Sequence, residues 1–333
     1  MADNTPAADQ AWQVILEQAG GPGTRFHDQK EAIAAARQHL DKQEANLRQF
    51  MVRYSQDSRR YSVRVRLSGV LHAKAKFGGN TALREESAKL LADIENNPEN
   101  PPPVRADAAF ARISQTMEDM AGRLDVSSRE SLGSEVQRFR ETYPDDRRTS
   151  GLLAELATLY DNDPDHKRSL LNQALVRASD PSLRLRIEDD LKRIDLLGKV
   201  LDFRLQPVSG GPAIDLASRR GRVVVLLFWA SWSGPSLREL AGLMKLAETY
   251  SGRPVDFLSI SLDEDRTALL AMIKAAGLQW PVHCDGSGWK GEVIKATGVN
   301  ALPTVFILDR HGVLTTLNAR GSEQADISTA LSH

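Results

Sequence analysis

The 333-residue sequence contains one cysteine, Cys284. A single thiol cannot form a disulfide within the chain, so a disulfide-stabilised scaffold and a CxxC zinc site are both excluded. One cysteine also carries no information on the redox state of the compartment. We expect no metal and no cofactor.

Long apolar runs and an excess of charge of one sign are absent as well. No uninterrupted apolar stretch approaches the length of a membrane span, so we expect no transmembrane segment. The 43 lysines and arginines nearly balance the 44 aspartates and glutamates, and this balance predicts neither nucleic acid nor an anionic membrane as partner. Residues 1–10 are polar and lack the apolar core of a signal peptide. We interpret them as a flexible N-terminus.

The pattern of residues 11–196 predicts an all-α domain of helical hairpins or an irregular bundle. Apolar residues recur at helical spacing within 29–56. A segment rich in proline and asparagine at 96–105 predicts a break between two groups of helices. Two Asp-Pro steps predict helices over 164–178 and 181–196, because aspartate caps a helix and proline suits its first position.

One basic segment, residues 59–66, permits two interpretations. Its arginines, with Tyr61 as a stacking group and Lys74 and Lys76 further on, would suit nucleic acid. Charge runs are more often solvated surface, on a helix or, given the alternation at Val63, on a short half-buried strand. We favour solvated surface, and we expect no nucleic-acid partner.

Residues 197–333 alternate between strand and helix patterns. Almost unbroken apolar runs indicate strands buried on both faces, as in the middle of a parallel or mixed sheet. The predicted strands are 201–205, 214, 222–229, 255–261, 304–308 and 313–318, and the predicted helices are 237–250, 266–276, 289–297 and 322–331. This order predicts an α/β domain with a central mixed sheet flanked by helices.

Within this domain, residues 228–240 read FWASWSGPSLREL, and residues 302–304 read Leu-Pro-Thr. Together with the surrounding strands, these motifs resemble the TlpA/ResA-like branch of the thioredoxin superfamily, the redoxin-type thiol:disulfide oxidoreductases. WSGPS stands where that family has WCGPC. The resemblance implies a thioredoxin-like fold for residues 197–333, with Pro303 as the family's cis-proline.

The resemblance also places Ser233 and Ser236 at the positions of the two catalytic cysteines. In the family, the first cysteine is a thiolate stabilised by a helix N-terminus. It attacks a disulfide, and the second cysteine resolves the mixed disulfide. A serine hydroxyl does neither, so dithiol exchange at these positions is excluded. Serine as a nucleophile would need a nearby base, and the sequence places neither His283 nor His311 obviously beside Ser233.

The rest of the family's apparatus is present and predicts a peptide-binding groove. Its predicted residues are Trp229, Trp232, Gly234, Pro235, Leu302, Pro303 and Thr304. The opposing interpretation is that these residues only maintain an inherited fold.

Three hypotheses for function follow. The first is a redox-inactive thioredoxin-like protein with a protein or peptide partner, or a structural module. The second is a thiol:disulfide oxidoreductase whose cysteines have been replaced by serine. The third is a redox sensor acting through Cys284, although lone cysteines are more often buried small hydrophobic residues. The resemblance implies the bacterial periplasm or cell envelope if a signal peptide has been removed, and otherwise the chain would be cytoplasmic.

Overall fold

The computed structural model describes residues 5–22, 29–120, 126–161 and 163–332. The chain forms two compact units, Met1–Leu159 and Tyr160–His333. Residues 160–196 therefore belong to the C-terminal unit, although the sequence groups them with the N-terminal helices. The division into units does not test the predicted boundary at 196/197, which concerns only where the thioredoxin-like part begins and stays a prediction.

The described part of the N-terminal unit forms seven α-helices, in agreement with the predicted all-α class. They are α1 (Pro6–Glu17), α2 (Gln29–Arg53), α3 (Arg60–Gly78), α4 (Thr81–Glu95), α5 (Pro102–Met120), α6 (Val126–Thr142) and α7 (Thr149–Ala157). The linker between α4 and α5 falls within the predicted break at 96–105. Of the predicted flexible segment 1–10, residues 1–4 lie outside the described residues.

The remainder of that N-terminal segment is helical rather than irregular. Helix α1 begins at Pro6, and the Thr5 hydroxyl accepts a hydrogen bond from the Ala8 amide at 3.3 Å. A threonine cap followed by proline at the first helical position is a strong start signal. The predicted flexible segment therefore ends at this cap.

The basic segment lies on helix α3, so its interpretation as a short strand is wrong. Val63, Leu67 and Leu71 are buried at intervals of four residues and pack against Leu47 and Phe50 of α2. This spacing matches one face of a helix and not the alternation of a strand.

Acidic residues form ion pairs with Arg59 of this segment and with Lys74 further along α3. Arg59 forms ion pairs with Asp57 and Asp9, and Lys74 forms ion pairs with Asp41 and Glu44. These contacts offset the local positive charge that binding to phosphates requires.

The C-terminal unit begins with two helices, α8 (Pro164–Arg177) and α9 (Pro181–Asp195). Both start as predicted. Asp163 accepts a hydrogen bond from the His166 amide at 3.0 Å, and Asp180 accepts one from the Ser182 amide at 3.0 Å.

The rest of this unit is a thioredoxin-like α/β domain, as predicted. Its strands are β1 (Arg204–Leu205), β2 (Ile214–Asp215), β3 (Val223–Trp229), β4 (Val255–Ser261), β5 (Val282–His283), β6 (Thr304–Leu308) and β7 (Leu314–Thr316). Its helices are α10 (Gly234–Thr249), α11 (Arg266–Ala276), α12 (Glu292–Thr297) and α13 (Glu323–Ser332). The five-stranded sheet has the order β5-β4-β3-β6-β7. Strands β3, β4 and β5 are parallel, and β6 and β7 are antiparallel to their neighbours.

The middle of the sheet is buried on both faces. All seven residues of β3 are buried, and residues of α10, α11 and α13 pack against its side chains. The predicted helix 289–297 is divided, because Gly288–Lys290 form a 3₁₀ turn and Gly291 is not helical (φ −54°, ψ 145°) before α12 begins.

Both outer strands of the sheet have backbone partners beyond it. At β5, the Val208 amide donates to the Val282 carbonyl at 2.7 Å, and Pro207 bridges to His283. At β7, the Gly198 amide donates to the Leu314 carbonyl at 2.9 Å. The segments that flank β1 and α9 therefore cover the two edges.

Candidate functional site

The turn between β3 and α10 holds the first group of predicted site residues. Ser233 is the N-cap of α10, with an extended backbone (φ −98°, ψ 107°). Its hydroxyl accepts a hydrogen bond from the Ser236 amide at 3.3 Å, and its carbonyl accepts one from the Leu237 amide at 3.0 Å. Gly234 and Pro235 follow as exposed residues of the first helical turn. The Ser233 side chain thus stabilises the start of the helix.

Ser236 occupies a different environment, although it lies only one turn further along the chain. It is 0% exposed, and its Oγ has no hydrogen-bond partner in the part of the chain that the structure describes. A buried hydroxyl without a partner costs about 1–3 kcal/mol. A thiol is a weaker donor and tolerates apolar burial well. The surroundings of Ser236 therefore suit sulfur better than oxygen.

The second group of predicted site residues comes to the same end of the sheet. The Leu302–Pro303 peptide bond is cis, and β6 begins at the next residue. Thr304 pairs with Phe228, the penultimate residue of β3. Since the Ser233 turn follows directly after β3, this pairing brings the cis-proline segment next to it.

The predicted groove residues differ in exposure. Trp232 is 62% exposed, Leu302 is half-buried, and Pro303 and Thr304 are buried. Trp229 is 0% exposed, so the expectation that its side chain borders the groove is wrong. It ends a strand that is covered on both faces, and its ring belongs to the core.

Comparison with known proteins agrees with this geometry. The family described as Redoxin matches residues 198–331. Residues 198–331 are a redoxin domain of the thioredoxin superfamily. A second family, "Uncharacterized protein conserved in bacteria (DUF2188)", matches residues 3–48.

Among curated proteins, the redoxin domain is similar to the thiol-disulfide oxidoreductase ResA. The ResA of Bacillus thuringiensis subsp. konkukian is 33% identical over 102 residues, which are 31% of this chain and 57% of the relative. The ResA of Geobacillus thermodenitrificans is 31% identical over 111 residues, which are 33% of this chain and 62% of the relative. The chain thus spans about three fifths of the length of these relatives.

Two solved structures are similar over the same part of the chain. One is the C-terminal domain of a putative thiol-disulfide oxidoreductase from Bacteroides thetaiotaomicron. It is 27% identical with a TM-score of 0.38, over 41% of this chain and 96% of that one. The other is a thiol-disulfide oxidoreductase from Bacteroides fragilis, 31% identical with a TM-score of 0.36, over 40% and 98% of the two chains.

The redoxin domain also holds a buried carboxylate that the sequence analysis missed. Asp263 follows β4 and is 5% exposed. It accepts hydrogen bonds from the Ser231 amide at 3.0 Å, the Ser231 hydroxyl at 2.5 Å and the Ser261 hydroxyl at 2.6 Å. Because β3 and β4 are parallel, their carboxyl ends lie side by side. Asp263 therefore anchors the turn that carries Trp232 and Ser233.

Cys284 lies next to the backbone of Asp263. Its thiol is buried at 2% exposure and donates to the Asp263 carbonyl at 3.1 Å. Burial raises the pKa of the Cys284 thiol above its ordinary value. A buried thiol with a raised pKa lacks the accessible thiolate that redox chemistry requires.

Neither histidine considered as a base is bonded to Ser233. The His283 ring Nδ1 lies 3.0 Å from both the amide and the carbonyl of Gln206, and the His311 backbone amide donates to Asp309 at 2.9 Å. Across the described ranges, the one hydrogen bond of the Ser233 hydroxyl comes from the Ser236 amide. Serine is thus not activated as a nucleophile in this arrangement.

A second missed carboxyl lies on α10, one turn beyond Ser236. Burial raises the pKa of Glu239, the neighbouring Glu323 carboxyl raises it further, and Arg320, 3.4 Å away, opposes the shift. Glu239 and Glu323 also line an open cavity of about 570 Å³ between α10 and α13. Glu239 therefore takes up a proton at higher pH than an ordinary glutamate.

Metal binding and membrane insertion find no support in the described residues. No group of three or more histidine, cysteine, aspartate or glutamate side chains there is arranged to hold a metal ion. None of the helices in these ranges combines the length and apolar character that a membrane span needs.

Proposed function

We propose that the redoxin domain binds an extended peptide or protein segment without exchanging disulfides. The binding surface would be the groove between Trp232 and Pro235 on one side and the Leu302–Pro303 segment on the other. The observation that carries the proposal is the pair Ser233 and Ser236 at the positions of the family's dithiol, in a site that otherwise keeps the family's elements.

The contacts of the site support a role in binding rather than in redox chemistry. The Ser233 hydroxyl caps α10, so it is engaged with backbone rather than available for reaction. The one thiol of the chain is buried. Trp232 is a large exposed aromatic side chain in the turn before Ser233. Aromatic side chains of this kind dominate binding interfaces.

A second candidate function is supported by Ser236 alone. Its hydroxyl is fully buried and has no described partner, which is what a serine placed at a cysteine position would show. The chain would then be a thiol:disulfide oxidoreductase in which both cysteines have been replaced. Serine is the closest isostere of cysteine, and the remainder of WSGPS is intact.

One pair of measurements separates the two candidates. The parent protein and its Ser233→Cys/Ser236→Cys variant are assayed for reduction of insulin disulfides with dithiothreitol as the electron source. Activity in the variant alone supports the second candidate, because only the sulfur atoms would be missing. Inactivity of both supports a site used for binding. Activity of the parent protein would contradict both candidates.

Binding itself is tested with carboxymethylated insulin B chain, an unfolded peptide that carries no free thiol. Fluorescence anisotropy of the labelled peptide should show saturable binding, weakened at least about fivefold by Trp232→Ala, since truncation of an aromatic anchor costs more than about 1 kcal/mol. The control is Phe77→Ala, which removes an exposed aromatic ring of the N-terminal unit. Equal affinity of all three proteins would refute the groove.

A further inference from the structure

Helix α9 lies directly against the segment that leads into Pro303. The two come close together at Gly298, which follows α12 with a left-handed backbone (φ 66°). A Cβ at this position would stand 2.3 Å from the Asp189 carbonyl oxygen and 3.2 Å from the Arg193 amide. Only glycine permits both this conformation and this separation.

A polar network that is buried at Asp190 and Arg193 and half-buried at Asn300 continues the contact toward Pro303. Asp190 and Arg193 are 6% and 8% exposed and form an ion pair. The Arg193 guanidinium also donates to Asn300 Oδ1 at 3.2 Å. The Asn300 amide nitrogen donates to the Arg186 carbonyl at 3.1 Å and to the Asp190 carboxylate at 3.2 Å.

This network determines where Asn300 lies relative to α9. Arg186, Asp190 and Arg193 are spaced by four and three residues, so they share one face of the helix. Asn300 stands three residues before Pro303, in a stretch that is neither helix nor strand. Since regular secondary structure does not fix this stretch, its position depends on its tertiary contacts. Buried, mutually satisfied polar groups hold a specific geometry more rigidly than apolar contacts do.

We propose that α9, which lies outside the residues matched by the Redoxin family, positions the Ala301–Pro303 segment for pairing with a bound peptide. Asp190, Arg193 and Asn300 are the positioning residues, and they act through this segment without touching the peptide. The inference rests on the proposed peptide groove. It makes α9 a functional part of the redoxin site rather than a part of the N-terminal helical extension.

The test uses a single thiol placed in the groove, in the full chain carrying Ser233→Cys and Cys284→Ala. Two probes carry the same thiopyridyl disulfide, one on the cysteine of a ten-residue peptide and one on N-acetylcysteine amide. The protein thiolate attacks the cysteine sulfur of the probe and a new disulfide forms. The S–S bond to the thiopyridyl group breaks, and the departing pyridine thiolate takes up a proton and is measured by absorbance as thiopyridone. The ratio of the two rates isolates the contribution of the flanking peptide residues.

Two substitutions remove the network to different extents. Asn300→Ala removes the connection to α9 and leaves the Asp190–Arg193 pair in place. Arg193→Lys keeps the positive charge beside Asp190, but an ammonium group cannot span Asp190 and Asn300 as the planar guanidinium does. The control is Arg184→Ala on the same helix, whose ion pair with Glu188 is about half exposed and contributes little. Urea denaturation verifies that each variant is folded under the assay conditions.

We expect the peptide probe to react at least about tenfold faster than the small probe, and each network substitution to abolish most of that preference. The small probe and the Arg184→Ala control should keep their rates. If the preference survives while only stability falls, or if both probes slow down equally, α9 has no positioning role and the inference is overturned. If the starting protein shows no preference for the peptide, the proposed groove itself is refuted, and the inference falls with it.

Discussion

The two serines of the WSGPS motif should respond to the same substitution with opposite changes in stability. Ser233→Ala removes the N-cap of α10, which costs about 0.5–2 kcal/mol. Ser236→Ala removes a fully buried hydroxyl that has no described partner. Its desolvation penalty of about 1–3 kcal/mol then disappears. Removal of the Ser236 oxygen also removes its packing contacts, which offsets part of this gain. We therefore expect a net stabilisation of about 1 kcal/mol.

The assay is urea denaturation of the full chain followed by tryptophan fluorescence. Four of the five tryptophans lie in the C-terminal unit, and Trp12→Phe removes the fifth, so the signal then reports the redoxin domain. The two alanine variants should differ by about 2 kcal/mol. With a denaturant slope of about 2 kcal/mol per molar urea, their midpoints lie about 1 M apart, on opposite sides of the parent.

A third variant connects this stability difference to function. Ser236→Cys places in the same site a group that does not need a strong hydrogen bond, and it should stabilise the domain as Ser236→Ala does. If Ser236→Ala instead destabilises the domain as much as Ser233→Ala does, the Ser236 hydroxyl is satisfied in solution. The site would then be adapted to serine, and the argument for a missing sulfur atom would be refuted.

Three further predictions concern the groups around this turn. Cys284 in the folded chain should react with a thiol reagent on the order of a hundredfold more slowly than in urea, since labelling requires local opening; rapid labelling of the native protein would restore the redox-sensor hypothesis. Asp263→Asn should lower the free energy of unfolding of the redoxin domain by about 2–3 kcal/mol, because hydrogen bonds to a carboxylate are strong, and a midpoint equal to that of the parent would show that Asp263 does not anchor the turn. Because the pKa of Glu239 is raised, the folded state binds more protons at this group than the unfolded state does. The stability that protonated Glu239 contributes is therefore present at low pH and is lost as pH rises through the pKa of the folded state. Glu239→Gln should flatten this dependence in denaturation series between about pH 4 and 8 and stabilise the domain at neutral pH, and an unchanged pH profile would contradict the assignment.

The elements predicted best from the sequence are those with a strong local signal. Strands β3 and β4 are continuous apolar runs, and α8 and α9 begin at Asp-Pro steps, so their positions follow from short stretches of sequence. The turn at Ser233 was located for the same reason. The N-terminal segment shows the limit of this reasoning. Its polar composition predicted a flexible segment over residues 1–10, but a capped helix begins at Pro6.

The features that the sequence analysis missed depend on contacts between distant residues. Asp263 meets Ser231 only because parallel strands end side by side, and Glu239 meets Glu323 only because α13 packs beside α10. The sequence Ser-Leu-Asp at 261–263 does contain a signal for the position of Asp263. A carboxylate directly after a buried parallel strand lies at the carboxyl edge of the sheet. The burial of Trp229 followed equally from its place at the end of an all-apolar strand. The hydrogen bonds between α9 and Asn300 join residues more than a hundred positions apart in sequence, and no local sequence pattern predicts them.

The covered edges of the sheet limit how copies of this protein can associate. An open edge strand offers unpaired amides and carbonyls to another chain and invites aggregation or strand exchange. Here the bonds of β5 with Pro207–Val208 and of β7 with the Gly198 segment would have to break before a second molecule could extend the sheet. Concentrated solutions should therefore resist conversion to cross-β fibres for as long as these two short flanking segments stay in place.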